Sequence, residues 1–315
     1  MYKRILLAIG IITALAVGCA TLFRPMQQEK ELMTFVALDN ANGEYLPKNF
    51  RLLDKKLVQG VNASASGQFS AKELSALIKH IKTIHPSSPK IWIIDLRQES
   101  HGFVNGLPIT WYQDRNAGNF GRSITEIFSA EKGLLATIPL GRAIDLYKIV
   151  KGRDGEVSPG QKYTVTVEKV QTEEELVLQY GLSYFRLFTL DHNKPENHDV
   201  DRFIEFVNTQ AQPDDWLHFH CRGGRGRTST YLTLLFIMFN AHHMGLEEIL
   251  RHQQHIGSID LSKRYSEENK LWKNDLANFR YEFIKDFYRF AKDPQGLGNK
   301  TWSEWLAQQS TNQAK

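Results

Sequence analysis

Cysteine is almost missing from this chain: its 315 residues hold two, Cys19 and Cys221. One sits in an apolar leader and the other in a glycine-rich loop, so no disulfide framework can be drawn and each thiol needs its own explanation. Runs of lysine and arginine are missing as well. With a formal net charge of only +4 there is no basic stripe of the kind that nucleic-acid binding requires. No glycine is followed by Lys-Ser or Lys-Thr, and no GxGxxG occurs, which excludes the Walker loop and the dinucleotide fingerprint. His242 and His243 stand in no metal-ligand spacing, and nothing in the chain calls for a metal or other cofactor. Internal repeats and low-complexity blocks are absent, and 42% hydrophobic with 23% charged residues describes an ordinary folded protein.

The start of the chain accounts for Cys19. Lys3 and Arg4 precede the apolar stretch Ile5 to Val17, and small residues lead into Cys19, which reads as a signal peptide over 1–18. The residues before Cys19 also resemble a bacterial lipoprotein box, although Ala16 departs from its usual leucine. That resemblance implies a lipidated first mature residue and membrane attachment through it. The bland alternative is an uncleaved anchor, since Ile5 to Phe23 nearly suffices to span a bilayer. Residues 19–33 read as a tether, and 34–315 as the folded domain of an exported protein in the periplasm, on the outer membrane or secreted.

Within that domain strand and helix signals alternate, which predicts an α/β fold with a central mixed sheet flanked by helices. Ser70 to Glu73 is a capping box followed by Leu74, Leu77, Ile78 and Ile81 at helical spacing. Ile91 to Ile94 reads as a buried strand, Tyr184 to Leu190 as another, and Trp216 to His220 as a third. Residues 115–180 carry Gly-rich turns, an alternating run over Tyr163 to Val167 and few helix signals, so a small β-rich insert is expected there. Leu271, Leu276, Phe279, Phe283, Phe287 and Phe290 predict a long amphipathic helix packed on the core.

The third strand runs straight into His220-Cys221-Arg222-Gly223-Gly224-Arg225-Gly226-Arg227-Thr228, and a helix follows. Strand, tight loop and helix start direct several main-chain N–H groups at one point, a phosphate-sized anion site. Gly223, Gly224 and Gly226 allow the chain to curl. In that field Cys221 is expected to be a thiolate and a nucleophile. Arg227 can fork onto two phosphoryl oxygens, Thr228 can donate to the sulfur when it leaves, and His220 can fix the loop. A rhodanese loop is one residue shorter and would need its arginine at 226, where Gly226 stands. An inert core thiol would not keep such glycines and arginines around it.

The loop matches the HCx5R(S/T) signature of the protein tyrosine phosphatase superfamily. Leu46 to Arg51, Ser66 to Ser70, Asp95 to Gly106, Thr189 to His192 and Trp216 to Thr228 extend the resemblance to the tyrosine-phosphatase-like phytases of bacteria, over most of 45–260. That resemblance implies a phosphatase core carrying a partial β-barrel, stepwise removal of phosphates from inositol polyphosphates, and no metal.

A leaving alkoxide needs a proton, and Asp191 ends a strand about thirty residues ahead of Cys221 in the Asp-His context of the family's acid. Asp199, Asp201, Asp214 and Asp215 compete on composition alone. Arg222 and Arg225 occupy positions where tyrosine-specific members carry small or apolar residues and where lipid phosphatases resembling the phosphatase and tensin homologue carry basic ones. Two more guanidinium groups suit a substrate with several phosphates, unless they merely face solvent. Arg51 and His192 match family positions near the substrate. Asp95, with Arg97, Glu99 and His101, comes from a strand end and shapes the same rim or forms structural ion pairs; Gln254 is a candidate for positioning water. Two other functions stay open: an exported phosphatase for phosphotyrosine proteins or phosphoinositide lipids, and a catalytically silent anion-binding module.

Overall fold

The computed structural model describes residues 35–313 apart from 41–42, 44, 54–61, 88–89 and 153–154. The leader, Cys19 and the tether lie outside the described residues. Among the described residues, eleven strands and eight α-helices are numbered in chain order. One sheet contains β2 (Arg51–Leu52), β3 (Asn62–Ser66), β4 (Ile91–Asp95), β10 (Ser183–Arg186) and β11 (Trp216–His220) in the order β10-β4-β11-β3-β2. Its neighbours run parallel except for the β2–β3 pair.

The middle strand is β11, whose last residue His220 lies opposite Asp95 and Ser66. The Cys221 loop therefore leaves the sheet at the carboxyl ends of its parallel strands, where ligands bind in open α/β sheets. Alternation along β11 divides the core. Leu217 and Phe219 pack with α4 (Asn197–Thr209), α5 (Gly226–Asn240), α6 (Leu246–His255), α7 (Asn274–Lys292) and α8 (Trp302–Gln313). Trp216 faces the opposite side with α1 (Ala71–Ile84) and α3 (Glu173–Gln179), so His218 and His220 point there too.

The helix behind the loop, α5, is buried nearly all round, including Thr228, Ser229, Thr230 and Thr233. Thr230 and Thr233 donate to the carbonyls of Gly226 and Ser229, so their hydroxyls are satisfied inside the core.

A second sheet has the order β8-β7-β1-β6-β5-β9, from β1 (Phe35–Leu38), β5 (His101–Val104), β6 (Leu107–Tyr112), β7 (Ala143–Lys151), β8 (Val157–Thr166) and β9 (Val170–Gln171). Residues 115–180 supply only three of these strands; the other three come from 35–38 and 101–112. The same stretch also holds α2 (Ile124–Ala136) and α3, both begun by capping boxes, Ser123 with Glu126 and Thr172 with Glu175. Those S/T-x-x-E signals are present in the sequence where few helix signals were expected.

Two further expectations change. Strand β10 stops at Arg186, and residues 187–193 cross the sheet end as irregular chain, with the Leu187 N–H donating to the Asp95 carbonyl. The aromatic stripe begins later than expected. Leu271 belongs to a 3₁₀ turn (Glu268–Lys273), and Phe279 is 62% exposed, whereas Phe283, Ile284, Phe287 and Phe290 are buried.

Candidate active site

The phosphate cradle can be checked through its carbonyls. Those of His220, Arg222, Gly223, Gly224 and Arg225 accept from Leu96 N, Gln68 N, Asn49 Nδ2, Arg51 Nη1 and Ser229 N respectively. Each is turned outward and held by a neighbouring element. No acceptor among the described residues takes the N–H groups of Cys221 to Arg225, which leaves them for an anion. Of the loop glycines, Gly224 is the one that must be glycine. It has φ +64°, and a Cβ there would lie 2.3 Å from Gly67 N, whereas one on Gly223 would meet nothing.

Cys221 is buried at the bottom of the cradle, and the Thr228 hydroxyl donates to its sulfur at 3.1 Å. Arg227, from the first turn of α5, is also buried. Its Nη1 and Nη2 donate to the two carboxylate oxygens of Glu99 at 2.5 and 3.0 Å, and Nη1 reaches the Thr189 carbonyl at 3.2 Å. The Nε–H has no partner among the described residues, and Nη2 lies 3.2 Å from Asp191 Oδ1. One edge of the guanidinium is thus clamped, while the Nε–Nη2 edge, shared with Asp191 in the free site, is the side that substrate oxygens can take.

Asp191 stands on the irregular chain after β10. Its Oδ1 accepts from His192 N at 3.0 Å and its Oδ2 from Asn116 Nδ2 at 3.0 Å. Burial opposes ionisation, but the Arg227 charge wins and holds the carboxyl well below the usual carboxylate range. His192, in the left-handed region at φ +67°, packs edge-on against Trp272. Burial pushes its imidazole pKa down.

Several expected rim residues have other places. Arg51 is buried beneath the loop, donating to the Gly224 carbonyl at 2.8 Å and to Ser229 and Ser258. Burial lowers its pKa to about 10 against the opposing pull of the Cys221 charge, so it braces the cradle from behind. Arg222 donates to Asp39 at 2.6 Å and lies over the Tyr112 ring, tied down on one side, whereas Arg225 is exposed. Gln254 is exposed on α6 and has no side-chain hydrogen bond to a described residue; it is the neighbouring Gln253 that turns inward, toward Ser258.

Asp95 is not on the rim. It is fully buried, accepting from Tyr184 Oη at 2.8 Å and pairing with Arg186 at 3.1 Å and His101 at 3.2 Å. His220 lies 2.6 Å from Glu173, whose carboxyl is drawn down to about 2 because that ring outweighs the cost of burial. Asp95, Glu173 and His220 could bring ligand atoms within 4.8 Å of one another, but Arg186 and His101 already meet these carboxylates.

Sequence reading missed the cations contributed by distant elements. Lys151 at the end of β7 and Lys273 before α7 both sense the Asp191 charge. Their pKa values are lowered by burial and then by neighbouring cations, Arg222 for Lys151 and Lys151 for Lys273. With Arg225 and the buried Arg280, they form a positive rim around the cradle.

An amide-lined loop at the end of a parallel sheet, with a buried cysteine below and a clamped arginine beside it, is the architecture of a cysteine-dependent phosphatase. A family model for PTP-like phytases, described by inositol hexakisphosphate, matches residues 141–239. A solved PTP-like phytase from Bdellovibrio bacteriovorus is 31% identical, with 87% of this chain and 95% of that one covered and a TM-score of 0.71. The chain belongs to the PTP-like phytase family. It is also similar to the tandemly repeated PTP-like phytase of Mitsuokella multacida, at 30% identity over 87% of this chain and a TM-score of 0.76. A further similarity is to effector protein HopD2 of Pseudomonas syringae pv. tomato, at 28% identity over 73% of this chain. The chain spans about half the length of these last two proteins, 49% and 48%.

Proposed function

We propose that this protein is a phosphomonoester hydrolase that removes phosphates stepwise from inositol polyphosphates through a phosphocysteine on Cys221. The observation that carries the reading is the pairing of an inward amide ring with an arginine whose Nε–Nη2 edge is left for substrate while Glu99 holds the rest. Cys221 thiolate attacks phosphorus, the P–O bond to the leaving group breaks, and Asp191 supplies the proton to that oxygen. Water then attacks the phosphocysteine, Asp191 takes its proton, and Thr228 stabilises the departing thiolate as inorganic phosphate leaves.

Asp191 is anionic in the free site because Arg227 faces it. A bound phosphoryl group competes for Arg227 and adds negative charge beside the carboxylate. Both effects raise its proton affinity, so the acid is made by substrate binding. Asp191→Asn should therefore lower kcat/KM, which reports the first step, by roughly 100-fold or more for alkyl phosphates, within the range of general-acid catalysis, and much less for an aryl phosphate. Equal losses on both would remove Asp191 from this role.

The cationic rim of Arg225, Lys151, Lys273 and Arg280 favours a substrate with several phosphates over one with a single phosphate. A related structure from Mitsuokella multacida, 29% identical, holds myo-inositol-(1,3,4,5)-tetrakisphosphate. A release assay with phytate, a phosphoinositide and a phosphotyrosine peptide tests the choice, with phytate expected to be fastest. Lys151→Ala with Lys273→Ala should raise KM for phytate by roughly tenfold and barely change it for the peptide. Phytate turned over more slowly than both others would overturn the assignment. Residues 1–19 support the extension that the enzyme is exported and anchored by lipid at Cys19. No described helix is long and apolar enough to cross a membrane.

A further inference from the structure

We infer that Asn116 is a positioning residue for the general acid, a side-chain amide that serves Asp191 in both of its protonation states. This role rests on Asp191 being the acid and base of the two steps proposed above.

The geometry begins with the turn that carries Asn116. Arg115 and Asn116 both lie in the left-handed region, at φ +54° and +68°. Two successive residues with a Cβ in that region are a costly conformation that the surroundings must impose. Trp272 packs against this turn. The Arg115 guanidinium lies over its ring at 4.3 Å, and the His192 ring meets it edge-on at 5.0 Å. The strained turn and the acid-bearing segment are thereby packed against one indole, and the turn aims Asn116 at Asp191.

Asn116 is 2% exposed. Its Nδ2 donates to Asp191 Oδ2 at 3.0 Å, and its Oδ1 is buried without a partner among the described residues. A buried amide satisfied on both sides would be locked, but this one is held by a single bond. Turned one way it donates an N–H to the carboxylate, the form needed as base in the second step. Turned by half a rotation about its last bond, it presents a carbonyl that accepts from the carboxylic acid, the form needed in the first. A lysine, which only donates, could not supply both faces from one fixed site.

Asp191 is faced by titratable groups from several elements. Arg227 comes from α5, His192 from its own segment, Arg222 from the loop, Glu99 from the chain after β4, and Tyr112 from β6. Lys151 comes from β7, Lys273 from the 3₁₀ turn and Arg280 from α7. Among the described residues Asn116 is the uncharged side chain that bonds the carboxylate, so it can be altered without removing any of these charges.

The test uses the full chain with Asn116→Gly and Asn116→Asp, both of which tolerate a left-handed backbone. Asn116→Gly removes a donor that favours the carboxylate, and a hydrogen bond to a charged group outweighs one to a neutral acid. The Asp191 pKa therefore rises. Since the first step needs the protonated form and substrate binding creates it, the basic limb of kcat for an alkyl phosphate, which reports the enzyme–substrate complex, should move up by about half a pH unit or more. The kcat/KM of an alkyl phosphate should fall roughly tenfold, and that of an aryl phosphate less than twofold. Asn116→Asp adds a like charge and should move the limb further in the same direction. Equal losses on both substrates with an unmoved limb would reduce Asn116 to a support of the fold, and no loss at all would dismiss it. Asp191→Asn run alongside separates the two levels. If that variant loses kcat/KM equally on both substrates, the acid assignment fails. If it behaves as expected and the Asn116 variants do not, only this inference does.

Discussion

Cys221→Ser is expected to lower turnover by roughly four to six orders of magnitude while leaving substrate affinity within a few-fold, as removal of a covalent nucleophile does elsewhere. The physical reason is the division of labour in the cradle. The main-chain N–H groups of Cys221 to Arg225 and the edge of Arg227 bind the phosphoryl group whichever atom lies below it. Only a sulfur that already carries negative charge can attack, and a serine hydroxyl in the same place has no base close by to activate it. The Thr228 hydroxyl, 3.1 Å from the sulfur, donates to it and so cannot take a proton from its replacement. Steady-state kinetics with a binding measurement on the same variant checks both halves. A variant keeping more than about one part in a thousand of the activity would point to a different nucleophile.

Arg227→Lys should cost about 1,000-fold in kcat with a small change in KM, the scale found when one oriented donor to a transition-state charge is removed. Arg227 touches four groups at once: the Glu99 carboxylate through both oxygens, the Thr189 and Leu96 carbonyls, and Asp191. An ammonium is a point charge and cannot be clamped along one edge while presenting two parallel donors along the other. Glu99 does not become an unpaired buried anion in this variant, because Arg97 Nε also donates to it at 3.0 Å. The fold should therefore survive, so a loss of activity with an unchanged melting temperature is the expected pattern. A loss under tenfold would mean that the clamp is structural and that charge builds elsewhere.

How much of this could be read from the chain follows from how local each feature is. The Cys221 loop was legible because strand, glycines, arginine and helix follow one another within thirteen residues, Trp216 to Thr228. Strand β3 was not, since Asn-Ala-Ser-Ala-Ser carries no apolar run; its small buried residues matter only because β11 and α5 pack beside it. Glu99 and Arg227 are 128 residues apart, and nothing in either neighbourhood announces the pairing. Arg51 illustrates the limit of carrying roles over by position, because the same guanidinium that lies near the substrate site reaches it from beneath, through the Gly224 carbonyl. Gln254 fails by one step of helix phase, with Gln253 taking the inward side. The rim cations Lys151 and Lys273 come from a strand of the second sheet and a 3₁₀ turn. No spacing rule brings those two elements together.

The most direct test is to catch the covalent intermediate. With an aryl phosphate, whose leaving group needs no proton, Asp191→Asn should complete the first step and stall before the second, which lacks its base. Rapid acid quenching followed by peptide mapping should then find one phosphoryl group per chain, on the peptide holding Cys221. An unphosphorylated Cys221 peptide under turnover conditions, or a phosphoryl group on another residue, would contradict the account.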